Sequence, residues 1–109
     1  MREIKKHITE ISNLCSLNGV KALFAFGSVI KDSLKPGSDV DLVVAIDDQD
    51  PLKYSDCYFN LKFGLEAIFS RKIDLLEEKA IKNPYLKKEI DNNKVLIYAM
   101  RGRVKAGKR

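Results

Sequence analysis

The stretch from Leu23 to Ile46 constrains this chain more than any other. It reads Leu-Phe-Ala-Phe-Gly-Ser, then a turn-rich connection, then Gly-Ser-Asp-Val-Asp-Leu-Val-Val-Ala-Ile. Two apolar runs of strand character therefore flank a small-residue turn at Gly27-Ser28 and a carboxylate pair at Asp39 and Asp41. Residues two apart on a strand share a face, so an extended 39–46 projects Asp39 and Asp41 together, roughly 6.6 Å apart at about 3.3 Å per residue. Val40, Leu42, Val44 and Ile46 then point to the opposite face, as a buried sheet layer requires. Neighbouring carboxylates repel each other and are costly to desolvate. A divalent cation removes that cost, and ligands that are all oxygen favour Mg²⁺ or Mn²⁺ over zinc.

The Gly27-Ser28 pair follows an apolar strand, Val20 to Phe26, and precedes a short helix expected to begin near Val29. Glycine there lets the backbone approach a ligand closely, and the amides that follow can face phosphate oxygens. Ser28 is placed to cap the short helix and to donate to a phosphate. A phosphate cradle beside metal-binding carboxylates is the chemistry of a nucleoside triphosphate site.

The rest of the chain reads as helices and strands in alternation. Glu3 to Asn18 has Ile4, Ile8, Ile11, Leu14 and Cys15 at helical spacing, and Gly19 stands where a glycine ends a helix. His7, the single histidine, lies at the edge of that stripe and has no ligand partner at metal-binding spacing, so it is read as structural. Val20 to Phe26 is apolar almost throughout, which predicts a central strand. Lys35-Pro36-Gly37 is a turn, and Asp47, Asp48 and Asp50 form a solvated loop closed by Pro51.

Leu52 to Ser70 is predicted as a long helix with Tyr54, Tyr58, Leu61, Leu65 and Ile68 as its stripe. Gly64 would allow close packing on the sheet, and Tyr58 and Phe59 are assigned to the core rather than to stacking on a base. Lys72 to Glu77 is a strand whose Ile73 and Leu75 face away from Asp74. If it pairs beside residues 39–46, Asp74 comes within about 5 Å laterally of the other acids. Asn83-Pro84 starts a helix that runs to about Asp91, and Val95 to Tyr98 is an edge strand or the end of a helical hairpin.

A chain of 109 residues suits one domain. No apolar run approaches the length of a membrane span and no signal-like amino terminus is present, so a soluble, cytoplasmic protein is expected. Cys15 and Cys57 fall in helical apolar patterns and are read as buried thiols. The formal charge of +5 resides wholly in Arg101, Arg103, Lys105, Lys108 and Arg109, so residues 1–100 carry no net charge. Direct nucleic-acid binding by the body of the domain is not expected. Residues 101–109, basic and without periodicity, are expected to be a mobile tail.

Gly27-Ser28, ten residues from Val29 to Ser38, then Asp39-Val40-Asp41 resembles the Gly-Ser and Asp-x-Asp signature of the polymerase-beta-like nucleotidyltransferases. The resemblance covers about Ile4 to Met100, and the short length points to the minimal nucleotidyltransferase (MNT) branch, the antitoxins of HEPN-domain toxins. It implies an α/β (α+β) fold, a small mixed sheet with helices packed on it, over residues 1–100. It also implies a third acid on a neighbouring strand, which Asp74 supplies. By the family's two-metal logic, Asp39 and Asp41 would hold both Mg²⁺ ions, about 3.5–4 Å apart, and Asp74 only the ion nearest the acceptor. Asp74 would also serve as general base, and Gly27, Ser28 and, more weakly, Lys31 would bind the phosphates of ATP.

Members often carry Ala-Arg-Gly where this chain has Ile30-Lys31-Asp32, which loses the planar fork of arginine and places a negative charge near the triphosphate. The resemblance further implies a protein adenylyltransferase that moves AMP to a tyrosine of a partner HEPN toxin. The competing readings are an antitoxin acting by contact alone and a transferase for small molecules of the aminoglycoside kind.

Overall fold

The structure, a computed structural model, describes residues 1–100. The basic tail expected over 101–109 lies outside the described residues. The element order is α1 (Arg2–Lys6), α2 (Ile8–Leu17), β1 (Val20–Phe26), a 3₁₀ turn (Gly27–Val29), β2 (Val40–Ile46), α3 (Pro51–Phe69), β3 (Ile73–Glu77), a second 3₁₀ turn (Glu78–Ala80), α4 (Pro84–Asn93) and β4 (Val95–Ala99). The four strands form one mixed sheet in the order β3-β2-β1-β4. β1 pairs antiparallel with both β2 and β4, while β2 pairs parallel with β3.

Strand alternation divides the sheet into two faces. Leu23, Ala25, Val40, Leu42, Val44, Ile73 and Leu75 are buried and pack with Ile4, Ile11, Cys15, Leu61 and Leu65 from the helices. The other face carries Phe24, Phe26, Asp41, Val43, Asp74 and Leu76, as the register Phe24↔Val43, Phe26↔Asp41 and Asp41↔Asp74 requires. One side of the sheet thus holds the main core, and the opposite side holds the acids.

Several local expectations are corrected. The predicted helix Glu3–Asn18 is two helices broken at His7, whose backbone (φ −113°, ψ 17°) ends α1 and begins α2. His7 is half-buried, with its ring edge-on to Phe69 and Nδ1 2.9 Å from Glu10. Gly64 serves helix–helix packing rather than helix–sheet packing: a Cβ there would lie 2.6 Å from Leu14 Cδ2 of α2. Asp50 does more than sit in a solvated loop, since its carboxylate accepts the Leu52 amide and caps α3 ahead of Pro51. Phe59 is exposed rather than in the core, whereas Tyr58 packs against the core as expected.

The Asn83 cap and Pro84 start of α4 stand as predicted, but the helix continues through Asn93. The last apolar run is an edge strand. Cys15 is fully buried and Cys57 only half-buried; neither forms a disulfide.

Candidate active site

Asp41 and Asp74 are direct partners in the parallel β2–β3 register, near enough that each carboxyl acts on the other. Asp41 is half-buried and Asp74 exposed. Burial first, then the charges of Asp74 and Asp39, hold the Asp41 carboxyl above the usual carboxylate range. Asp39 stands one residue ahead of β2, not within the strand, and is exposed. Its charge is nonetheless felt at Asp41. The three acids are therefore brought to one end of one face, Asp41 and Asp74 in contact and Asp39 beside them.

Among the described residues no three His, Cys, Asp or Glu side chains converge closely enough to hold an ion by themselves. A crowded carboxylate pair still suits Mg²⁺, which is generally held by one or two carboxylates together with substrate phosphates rather than by an all-protein cage.

Gly27 abuts the pair from the other side. It follows Phe26, the cross-strand partner of Asp41, and its φ is +78°, in the left-handed region that favours glycine. A Cβ at Gly27 would lie 3.0 Å from Asp41 Oδ2, so only hydrogen fits there without displacing that carboxylate. Ser28 does not cap a helix as expected: the 3₁₀ turn begins at Gly27 with no side-chain cap, and the Ser28 carbonyl accepts the Ser33 amide. Its side chain is exposed.

Lys31 and Asp32 part company. Lys31 lines a cavity with Gly27, whereas Asp32 lines a different one with Arg2, Lys6 and Arg71. Asp32 Oδ1 accepts from the Met1 and Arg2 nitrogens at 2.6 and 2.7 Å, which holds its carboxyl below the usual range. Its negative charge is thus taken up away from the Gly27 side.

Two features escaped the sequence reading. Arg71 donates through one guanidinium nitrogen to the carbonyls of Lys35 and Ser38, each at 2.9 Å, and so ties down the turn that delivers Asp39. The second lies on α3. β3 is an edge strand, and an unpaired edge exposes backbone groups that invite another strand. Here α3 covers it with side chains: Tyr58 donates to the Leu75 carbonyl (2.6 Å) and Lys62 to the Ile73 carbonyl (3.2 Å), while Glu66 accepts the Ile73 amide (3.2 Å). Lys62 and Glu66 are themselves paired at 2.8 Å. Residues 73 and 75 bracket Asp74, so this ladder holds the backbone on both sides of that acid. The signal was present as an i, i+4, i+8 series on one helix face, but only the placement of β3 gives it a purpose.

The arrangement defines a class before any comparison: a sheet end where paired acids meet a tight glycine turn, suited to a metal-bound phosphate ester. The chain belongs to the Polymerase beta, Nucleotidyltransferase family, whose model matches residues 9–101. Two candidate protein adenylyltransferases of Methanocaldococcus jannaschii are each 38% identical to it, over 79 and 80 residues, covering 72% of this chain and 76% of theirs. Among solved structures, a candidate minimal nucleotidyltransferase is 24% identical with a TM-score of 0.66, covering 84% of this chain and 90% of that one. A toxin–antitoxin complex with AMP-PNP matches at TM-score 0.65 and 17% identity, over 91% and 78%. A complex of a tri-AMPylated Shewanella oneidensis HEPN toxin with an MNT antitoxin matches at TM-score 0.61 and 16% identity, over 94% and 77%. These likenesses show the fold predicted from the sequence, a mixed sheet of the polymerase-beta-like nucleotidyltransferase type. No helix among the described residues is long and apolar enough to cross a membrane.

Proposed function

We propose that this protein transfers AMP from ATP to a hydroxyl, that of a tyrosine, on a partner HEPN toxin, and that it acts as the toxin's antitoxin in the cytoplasm. The observation that carries the reading is the Asp41–Asp74 pair with the Gly27 turn set so close to Asp41 that a Cβ would crowd its carboxylate. The names of the relatives, protein adenylyltransferases by sequence and toxin-bound MNT antitoxins by fold, support the same choice.

Asp39 and Asp41 would hold Mg²⁺ jointly with the triphosphate, and Asp74 only the ion nearest the acceptor. When bound, the cation would offset the charge gathering on the transferred phosphoryl group and on the pyrophosphate that leaves. Gly27 and Ser28 bind the β- and γ-phosphates, with the Lys31 ammonium at the same end. The acceptor oxygen forms a bond to the α-phosphorus as the bond from that phosphorus to the bridging oxygen of the β-phosphate breaks. Asp74, exposed on the edge strand, takes the hydroxyl proton. The Tyr58–Lys62–Glu66 ladder keeps the Asp74 backbone in place for that transfer.

Co-expression with a HEPN-domain toxin followed by mass spectrometry tests the reading directly. An added AMP on a partner tyrosine, absent with Asp41→Asn, is the expected result. An unmodified partner that is still inhibited would select neutralisation by contact. AMP found on an aminoglycoside instead would select small-molecule transfer.

A further inference from the structure

We propose that the cavity between the Gly27 turn and α4 receives the nucleobase of the nucleoside triphosphate, with Glu89 and Asn93 selecting the base. The inference rests on the assignment of the Gly27 end to the phosphates. The cavity has a volume of about 300 Å³, the lower bound for small-molecule sites, which suits a heterocycle with its sugar rather than a whole nucleotide. Phe26, Ile30, Leu86 and Ile90 form its apolar wall, and Lys31, Glu89 and Asn93 are its polar members. That is the composition a flat, apolar ring with a hydrogen-bonding edge requires.

Position and charge give the ligand a direction. Gly27 lines this cavity and lies so near the Asp41 carboxylate that a Cβ on it would sit 3.0 Å from Oδ2, so phosphates at Gly27 stand at its mouth. Across the sheet, Asp74 lies on the β3 side of Asp41 and Phe26 on the β1 side. With the phosphates held at Gly27 and Lys31 and the Asp74 side reserved for the acceptor, the uncharged end of the nucleotide is left the α4 wall of the cavity, where Leu86, Glu89, Ile90 and Asn93 stand.

The selecting groups are available. Among the described residues the Glu89 carboxylate has no hydrogen-bond or ion-pair partner. Asn93 spends one amide hydrogen on the Glu89 carbonyl at 2.8 Å and keeps its oxygen and second hydrogen. Glu89 can accept from an exocyclic amine, and Asn93 can both give and accept. Leu86, 43% exposed in the wall, is apolar surface that a base would cover.

Calorimetry with ATP and with tripolyphosphate, each with MgCl₂, tests this without reference to turnover. The wild type should bind both, and ATP more tightly. Leu86→Ser should weaken ATP by about fivefold or more and leave tripolyphosphate unchanged, as loss of a half-exposed leucine implies. Glu89→Gln, at an exposed position that tolerates the change, should alter the order of ATP, GTP and CTP affinities while tripolyphosphate again stays unchanged. ATP binding no tighter than tripolyphosphate, or ATP and base preference unaffected in both variants, would overturn the base site alone. Failure of the wild type to bind either probe would overturn the phosphate assignment, and the base site with it.

Discussion

Asp41 and Asp74 face each other across the parallel β2–β3 pair, near enough for the charge of one to act on the other, while the Gly27 turn that follows β1 closes on Asp41 from the other side. Two acids in such contact work against the fold whenever both are ionised. That cost is the physical mark of a site waiting for positive charge, and it makes the site testable apart from catalysis.

Asp41→Asn should abolish AMP transfer yet leave the metal-free fold as stable as the wild type or slightly more so. Burial and two acidic neighbours raise the Asp41 carboxyl above its unfolded value, so its ionisation penalises the folded state at neutral pH. The penalty is present above the folded pKa and disappears as pH falls below the unfolded value of about 3.9. The stability gap between variant and wild type should therefore narrow on acidification. Thermal melts at neutral and acidic pH measure it, and MgCl₂ should raise the melting temperature of the wild type much more than that of Asp39→Asn/Asp41→Asn.

Asp74→Asn separates binding from chemistry. If Asp74 serves the acceptor and not the triphosphate, calorimetry should find Mg-ATP binding retained while transfer falls by about 10²-fold or more. Loss of nucleotide binding in this variant would refute that division of labour.

Gly27→Ala should damage both fold and function. The added methyl meets a left-handed backbone, at about 1–2 kcal/mol, and also contacts Asp41 Oδ2 at 3.0 Å. Denaturant titration should show the destabilisation. Nucleotide affinity should drop as well, because the carboxylate can only move aside.

The ladder on α3 predicts a kinetic signature. Tyr58→Phe removes the hydrogen bond to the Leu75 carbonyl, worth about 0.5–1.5 kcal/mol, and loosens the strand carrying Asp74. Steady-state assays should show kcat reduced with the KM for ATP nearly unchanged. Glu66, held below the usual carboxylate range first by Lys62 and then by the Ile73 amide, adds stability above its unfolded pKa that is lost as pH falls through the folded one. Glu66→Gln should accordingly flatten the acid limb of the stability profile.

Gly64→Ala tests the contact between the two long helices. Its methyl would fall 2.6 Å from Leu14 Cδ2, so α2 and α3 must separate or Leu14 must leave its rotamer, at about 1–3 kcal/mol. Leu14→Ala in the same chain should recover part of the loss, as a chemical-denaturation cycle would reveal.

Local pattern was enough to find most of the elements and the acids. A nearly unbroken apolar run marked β1, apolar residues facing away from the acids marked β2 and β3, helical spacing marked α2 and α3, and Asn83-Pro84 marked the start of α4, because these signals reside in a few consecutive residues. The spacing from Gly27-Ser28 to Asp39 and Asp41 likewise singled out the residues that the fold places at one sheet end. What it left undecided was non-local. The break at His7, the placing of Gly64 against Leu14, the register that sets Asp74 opposite Asp41, and the covering of the β3 edge by Tyr58, Lys62 and Glu66 each depend on elements far apart in the chain. Period-2 alternation says which face Asp74 shares but not which strand lies beside it. Only the packed sheet, in which β2 takes β3 as its parallel neighbour, turns two separate acids into one site.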